Sequence, residues 1–186
     1  MSDKKKLILI ALNEFNFDAL KLYDLKKFPN LQKVVNNSKL TFSETEYKKL
    51  EPWIQWLTIY TGLGADEHNV FRLGDINKKK FNDIFSNLEN SGFKVGAISP
   101  MNLNNNLSNP VFFIPDPWTN TKSDRSFFSK LISKTLSNFI NNNANNRFEI
   151  KNYFLLLLIF LRFFSLKNII LYTELIFKSL KHKFYK

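Results

Sequence analysis

No cysteine occurs among the 186 residues. Disulfide frameworks, thiolate metal sites and cysteine nucleophiles are thereby excluded. Histidine is almost as scarce, with His68 and His182 alone, and no repeat of fixed period runs through the chain. Long hydrophobic runs are missing too. Leu7 to Leu12 follows Lys4-Lys5-Lys6 as the apolar part of a secretory signal would, but it stops at Asn13-Glu14 and no small-residue cleavage site follows. A buried strand is the better reading, and a cytoplasmic location the expectation. Tyr153 to Phe164, the most apolar stretch, has too few residues to cross a hydrocarbon layer of about 30 Å. Arg162 interrupts it, and it reads as a buried helix.

Hydrophobic residues make up 44%, aromatic residues 16% and charged residues 23% of the chain, which excludes disorder and predicts one folded core. The net charge of +11 comes with abundant Lys, Asn, Ile and Phe, the balance that AT-rich coding produces without any anionic partner. Between 147 and 186 there are eight Lys or Arg against two Glu, but no aromatic-basic recognition motif accompanies them, so nucleic acid is not the expected partner. Residues 165–186 instead resemble a membrane-surface helix with a basic tail, which makes peripheral membrane contact an open reading beside a helix whose apolar face awaits protein.

Residues 7–12, LILIAL, form a continuous apolar run of the length expected for a strand covered on both faces in a parallel sheet. Phe17, Leu20 and Leu25 then fall at helical spacing, and Phe28-Pro29-Asn30 opens a second short helix through Val35. Leu40 to Glu46 alternates loosely. Pro52 stands where a helix can start without losing a needed donor, Trp53 to Tyr60 continues it, and Gly62 and Gly64 end it. Residues 65–79 read as loop, 81–90 as helix, Ser91-Gly92 as a turn and Phe93 to Ile98 as a strand. After Pro100 come an Asn-rich loop, a brief strand from Val111 to Ile114 and the turn-like Pro115-Asp116-Pro117-Trp118. Phe127, Leu131, Leu136 and Ile140 belong to a one-stripe helix that the Asn141 to Asn146 stretch breaks.

Two segments carry a resemblance. ILIALNEFNFDAL, residues 8–20, is similar to the first strand and turn of the alkaline phosphatase superfamily in its type I phosphodiesterase, nucleotide pyrophosphatase and sulfatase-like branch. Leu50 to Gly62, LEPWIQWLTIYTG, with Asp66-Glu67-His68 and Phe71 to Asp75 after it, resembles that superfamily's nucleophile helix. More narrowly, Asn13-Glu14, Glu51-Pro52-Trp53-Ile54-Gln55-Trp56 and Pro115 to Trp118 look like bacterial homologues found with surface-polysaccharide loci. The likeness spans residues 7 to about 120 and is weak in the helical remainder.

The resemblance implies an α/β fold: a partial alkaline-phosphatase-like core over residues 1–120, with a mostly parallel sheet flanked by helices. An all-helical segment over 121–186 would follow, an insertion or cap of a longer parent. It also implies a phosphate- or sulfate-ester substrate and a divalent metal, zinc or manganese. Asn13 stands in the place of a ligand aspartate, and an amide coordinates only through its neutral oxygen. Glu14 restores a carboxylate, but adjacent side chains on extended backbone point apart, so either the turn brings Glu14 inward or metal binding weakens. Both residues can equally be a plain turn. The nucleophile's place falls on Pro52, which has no nucleophile. Glu51 beside it is the candidate catalytic residue, as metal ligand, general base or carboxylate nucleophile, or else a charge favoured at a helix start. Gln55 would present its amide to a phosphate oxygen and Trp53 would wall the substrate pocket.

Family members complete a two-metal site with Asp and His residues from a C-terminal half, which His182 in its Lys-rich surroundings does not supply. The expectation is therefore a truncated or degenerate hydrolase, inactive alone, that a second polypeptide would complete. The alternative is a non-enzymatic binding or assembly domain in cell-envelope polysaccharide production.

Overall fold

The computed structural model describes residues 6–13, 15–20, 22–41, 46–143 and 150–184. It is a mixed helix and sheet structure. Helix α1 (Phe17–Leu20) and helix α2 (Pro29–Asn36) precede α3 (Pro52–Thr61), α4 (Ala65–His68) and α5 (Ile84–Asn90). Strand β1 (Gly96–Ile98) pairs in parallel with β2 (Phe112–Ile114), with Ala97 opposite Phe113. Helices α6 (Phe127–Asn143), α7 (Ile150–Phe163) and α8 (Ile169–Phe184) follow.

Local chemistry explains most of these boundaries. Proline opens both α2 and α3, where its missing N–H has no intrahelical acceptor to lose. Gly62 closes α3 in the left-handed region at φ 72°, its N–H donating to the Thr58 carbonyl at 2.8 Å. Asp83 caps α5 reciprocally: its carboxylate accepts from the Ser86 N–H at 2.9 Å, and the Ser86 hydroxyl accepts from the Asp83 N–H at 3.1 Å. Residues 65–79, expected as loop, contain α4 and a tight 3-10 turn at Asp75–Lys78. Expectations for the two strands held at their carboxyl ends, while β1 begins at Gly96 rather than Phe93.

Residues 7–12 are not a strand. They pair with no other segment among the described residues, and Ile8 is 83% exposed and Ile10 72% exposed. An apolar run specifies what a strand can bury, but the strand itself exists only where a neighbouring edge supplies ladder partners, and among the described residues β1 and β2 pair only with each other. No described residue from 6 to 50 is buried. The core begins at α3 and gathers Leu57, Tyr60, Val70, Ile76 and Leu103, with Trp56, Phe81, Ile84 and Phe85 packed against it.

Helix α7 also departs from expectation. It forms where expected, but it is not buried: Phe154 is 60% exposed and Leu161 61% exposed. Only one stripe faces α6, because nothing among the described residues covers the other. Helix α6 in turn packs on β2, joining the helical segment to the α/β part. Among the described residues no single helix is long and apolar enough to cross a membrane.

A buried polar node lies beyond the carboxyl ends of both strands. Asn102, in the left-handed region at φ 51°, donates its N–H to Asp116 Oδ2 at 2.8 Å. Its side-chain Oδ1 accepts from the Gly74 N–H at 3.0 Å, and its Nδ2 donates to the Trp53 carbonyl at 3.2 Å. Asp116 also accepts from the N–H groups of Trp118 and Thr119 and from the Thr119 hydroxyl, at 2.9–3.0 Å. Asp116→Ala leaves these buried donors without an acceptor. It should lower the unfolding free energy by about 3 kcal/mol, measured as an earlier urea midpoint; an unchanged midpoint would show that the node is not structural.

Candidate functional site

Through Asn102 the first turn of α3 is held at the carboxyl edge of the parallel pair. That edge is where open α/β sheets form ligand crevices. Four of the five residues expected at a site fall on α3 or beside it. Glu51 occupies the N-cap position; its carbonyl accepts from the Ile54 and Gln55 N–H groups at 2.9 and 3.1 Å, while its exposed side chain makes no capping bond. Pro52 supplies neither a nucleophile nor an N–H, which weakens this helix start as an anion cradle.

Gln55 has one donor of its amide already engaged. Its Nε2 donates to the Leu50 carbonyl at 2.8 Å, folding the side chain back over the entry of α3. Trp53 donates its indole N–H to the Phe71 carbonyl at 3.0 Å and so pins the first turn to the loop after α4. Asn13 is brought to α3: the Trp56 indole N–H donates to Asn13 Oδ1 at 3.2 Å. Glu14 lies outside the described residues.

The fit to a divalent cation is poor. The amide oxygen of Asn13, its only coordinating atom, is already an acceptor for Trp56. Among the described residues, no three of His, Asp and Glu stand close enough together to hold a metal ion. Glu51 alone offers one monodentate or bidentate ligand, fewer than such a cation needs.

His68 closes the turn after α4. Its Nδ1 accepts from the Val70 N–H at 3.0 Å, which places the ring proton on Nε2, facing Thr58 Oγ1 at 3.1 Å. The imidazole is 1% exposed. Burial first, and the Lys79 cation second, hold its pKa below the ordinary value, against weaker opposition from a hydrogen bond to the Ile54 backbone and from Asp66 and Glu67. Thr61 bonds back to the Leu57 carbonyl at 2.7 Å and packs along the helix. A shallow cleft of about 330 Å³ lies at the other end of α3, between Tyr60, Gly62, Ile84 and Leu88. With a helical rise of about 1.5 Å per residue, it is too far along the helix to share chemistry with Glu51. Burial pushes the Tyr60 phenol up to about 12, so this wall stays protonated and neutral.

Sequence reasoning missed Asn102. A signal was present: an Asn just beyond a short strand is the residue type that tolerates the left-handed region and satisfies local backbone groups. Comparison with protein-family models, curated proteins and solved structures finds no match to this chain.

The neutral state of His68 has a measurable consequence. Its folded pKa is depressed, so its contribution to stability is complete above the unfolded value of 6.5 and is lost as pH falls from there through the folded value. The unfolding free energy from urea melts should hold steady from pH 8 to pH 7 and decline below pH 6.5, by about 1.4 kcal/mol per unit of pKa depression. His68→Gln should flatten that decline; an identical slope in the variant would assign it to other groups.

Proposed function

We propose that this chain is a degenerate alkaline-phosphatase-like domain of the phosphodiesterase and sulfatase-like branch, one that does not turn over phosphate or sulfate esters by itself. The observation that carries this reading is the placement of the α3 N-terminus, bearing Glu51, at the carboxyl ends of β1 and β2 through the Asn102–Asp116 node. A nucleophile helix needs that position, because partial positive charge at the helix start then faces the crevice. The Trp56 bond to Asn13 adds that the two segments carrying the resemblance lie side by side.

Hydrolysis needs an attacking group and compensation for the ester's charge. Pro52 removes the first, and the engaged amides of Asn13 and Gln55 remove part of the second. A second polypeptide would have to bring the remaining ligands for zinc or manganese. The same engaged amides favour the second reading, a non-enzymatic binding or assembly domain of surface-polysaccharide production, since they tie α3 to its neighbours without preparing it for chemistry.

The test is turnover of chromogenic phosphodiester, phosphomonoester and sulfate ester substrates by the purified chain with added zinc or manganese. The expected result is release at the buffer rate, unchanged by chelator and by Glu51→Gln. Chelator-sensitive turnover that Glu51→Gln abolishes would overturn the proposal and make the chain a working hydrolase.

A further inference from the structure

Helix α7 carries apolar residues both toward α6 and away from it. One stripe, formed by Asn152, Leu155, Leu158 and Ile159, is buried or half-buried on the side of α6. The opposite side, which on a helix in water carries polar residues, instead exposes Phe154, Leu157 and Leu161, each at least half exposed. Arg162, which breaks the apolar run in sequence, does not break this outer face. Its guanidinium lies over the Phe128 ring of α6, 5.2 Å from the centroid, on the inner side.

The apolar surface continues around a corner. The segments Asn152–Phe163 and Leu166–Leu175 meet at 103°, and together, though not singly, they have the length and composition of a membrane span. Tyr172 fixes the corner by stacking on Phe164 at 5.5 Å and packing edge-on against Phe160 at 5.7 Å. On α8, Ile170 is 78% exposed and Phe177 73% exposed. A right-angled pair whose legs are each too short to cross suits the boundary of one leaflet rather than a full crossing.

Charge selects the occupant. Residues 150–184 hold six Lys or Arg and one acidic residue, Glu174, and that carboxylate is paired to Lys178 at 2.7 Å. A second copy of the chain would bring the same positive field against itself, whereas an anionic lipid surface would complement it.

We propose that α7 and α8 form an interfacial membrane anchor, lying with their outer apolar faces in the headgroup boundary of a bilayer rich in anionic phospholipid. The anchor does not depend on whether the α3 region has any hydrolytic ancestry. Each basic residue near such a surface strengthens binding about fivefold, so a few of them separate anionic from neutral membranes.

Co-sedimentation of the full chain with vesicles of phosphatidylcholine alone and of phosphatidylcholine mixed with phosphatidylglycerol tests this. Partition onto the mixed vesicles should exceed that onto the neutral ones by at least about tenfold and weaken as salt is raised. The double variant Leu157→Glu with Leu161→Glu, which changes only exposed positions, should reduce binding by about tenfold or more. Lys167→Glu should weaken it without touching any apolar contact; circular dichroism verifies that both variants remain helical. The proposal is overturned if the chain stays in the supernatant with anionic vesicles, or if both vesicle types bind it equally. It is overturned as well if the double variant binds unchanged, or if sedimentation velocity shows a dimer that the double variant dissolves while vesicles leave it intact.

Discussion

A carboxylate withdrawn from water must be met by donors on several sides, and the way Asp116 is met organises the α/β part of this molecule. One of its oxygens receives the Asn102 N–H and the Thr119 hydroxyl, the other the N–H groups of Trp118 and Thr119. Asn102 then spends both ends of its own side chain on Gly74 and Trp53. The turn after β1, the turn after β2, the loop following α4 and the first turn of α3 are thus fixed by one connected set of hydrogen bonds. Such a set resists displacement because each member, if released, leaves another buried polar group unpaired. A second buried carboxylate, Asp124, does the same on the other flank, accepting from the Phe113 and Ser126 N–H groups at 2.5 and 2.6 Å. Burial opposes its ionisation, but hydrogen bonds from Ser129, Phe113 and Ser126 outweigh that and hold its pKa below the ordinary value.

What could be read in the sequence was what local chemistry decides. Pro52 and Gly62 delimit α3 because one lacks an N–H and the other adopts a positive φ, and both reasons are visible in the residue types themselves. LILIAL misleads for the opposite reason. Its composition shows what the segment could bury, whereas strand formation depends on a partner edge elsewhere in the chain, which composition does not encode. The same limit applied to α7, whose helix was legible and whose covering was not.

The candidate site was legible as a set of positions and not as a set of roles. Spacing along one helix made Glu51 and Gln55 neighbours at its start, and the placement of Asn13 against α3 agrees with a shared region. Roles depend on where the polar atoms point. Asn13 and Gln55 each meet an intramolecular partner, Trp56 and the Leu50 carbonyl, and neither partner could be read from spacing alone. His68 shows the same dependence: a histidine can be a ligand or close a turn, and the Val70 N–H at Nδ1 makes it the turn.

Arg162 unites these lessons at the other end of the chain. In a linear reading a cation inside an apolar run argues for water nearby, and hence for a helix that ends or is covered. In three dimensions the helical period places it one turn from Leu158 and Ile159, on the side of α6, where the faces of Phe128 and Phe163 receive the guanidinium at 5.2 and 5.8 Å. The charge is therefore removed from the side it would have made polar, and Phe154, Leu157 and Leu161 are left as an uninterrupted apolar surface. With Glu174 paired to Lys178, the formal charge of residues 150–184 as a segment is positive. An apolar face on a positively charged segment is most stable where hydrocarbon meets anionic headgroups, because water satisfies only the charges and a protein core only the apolar atoms.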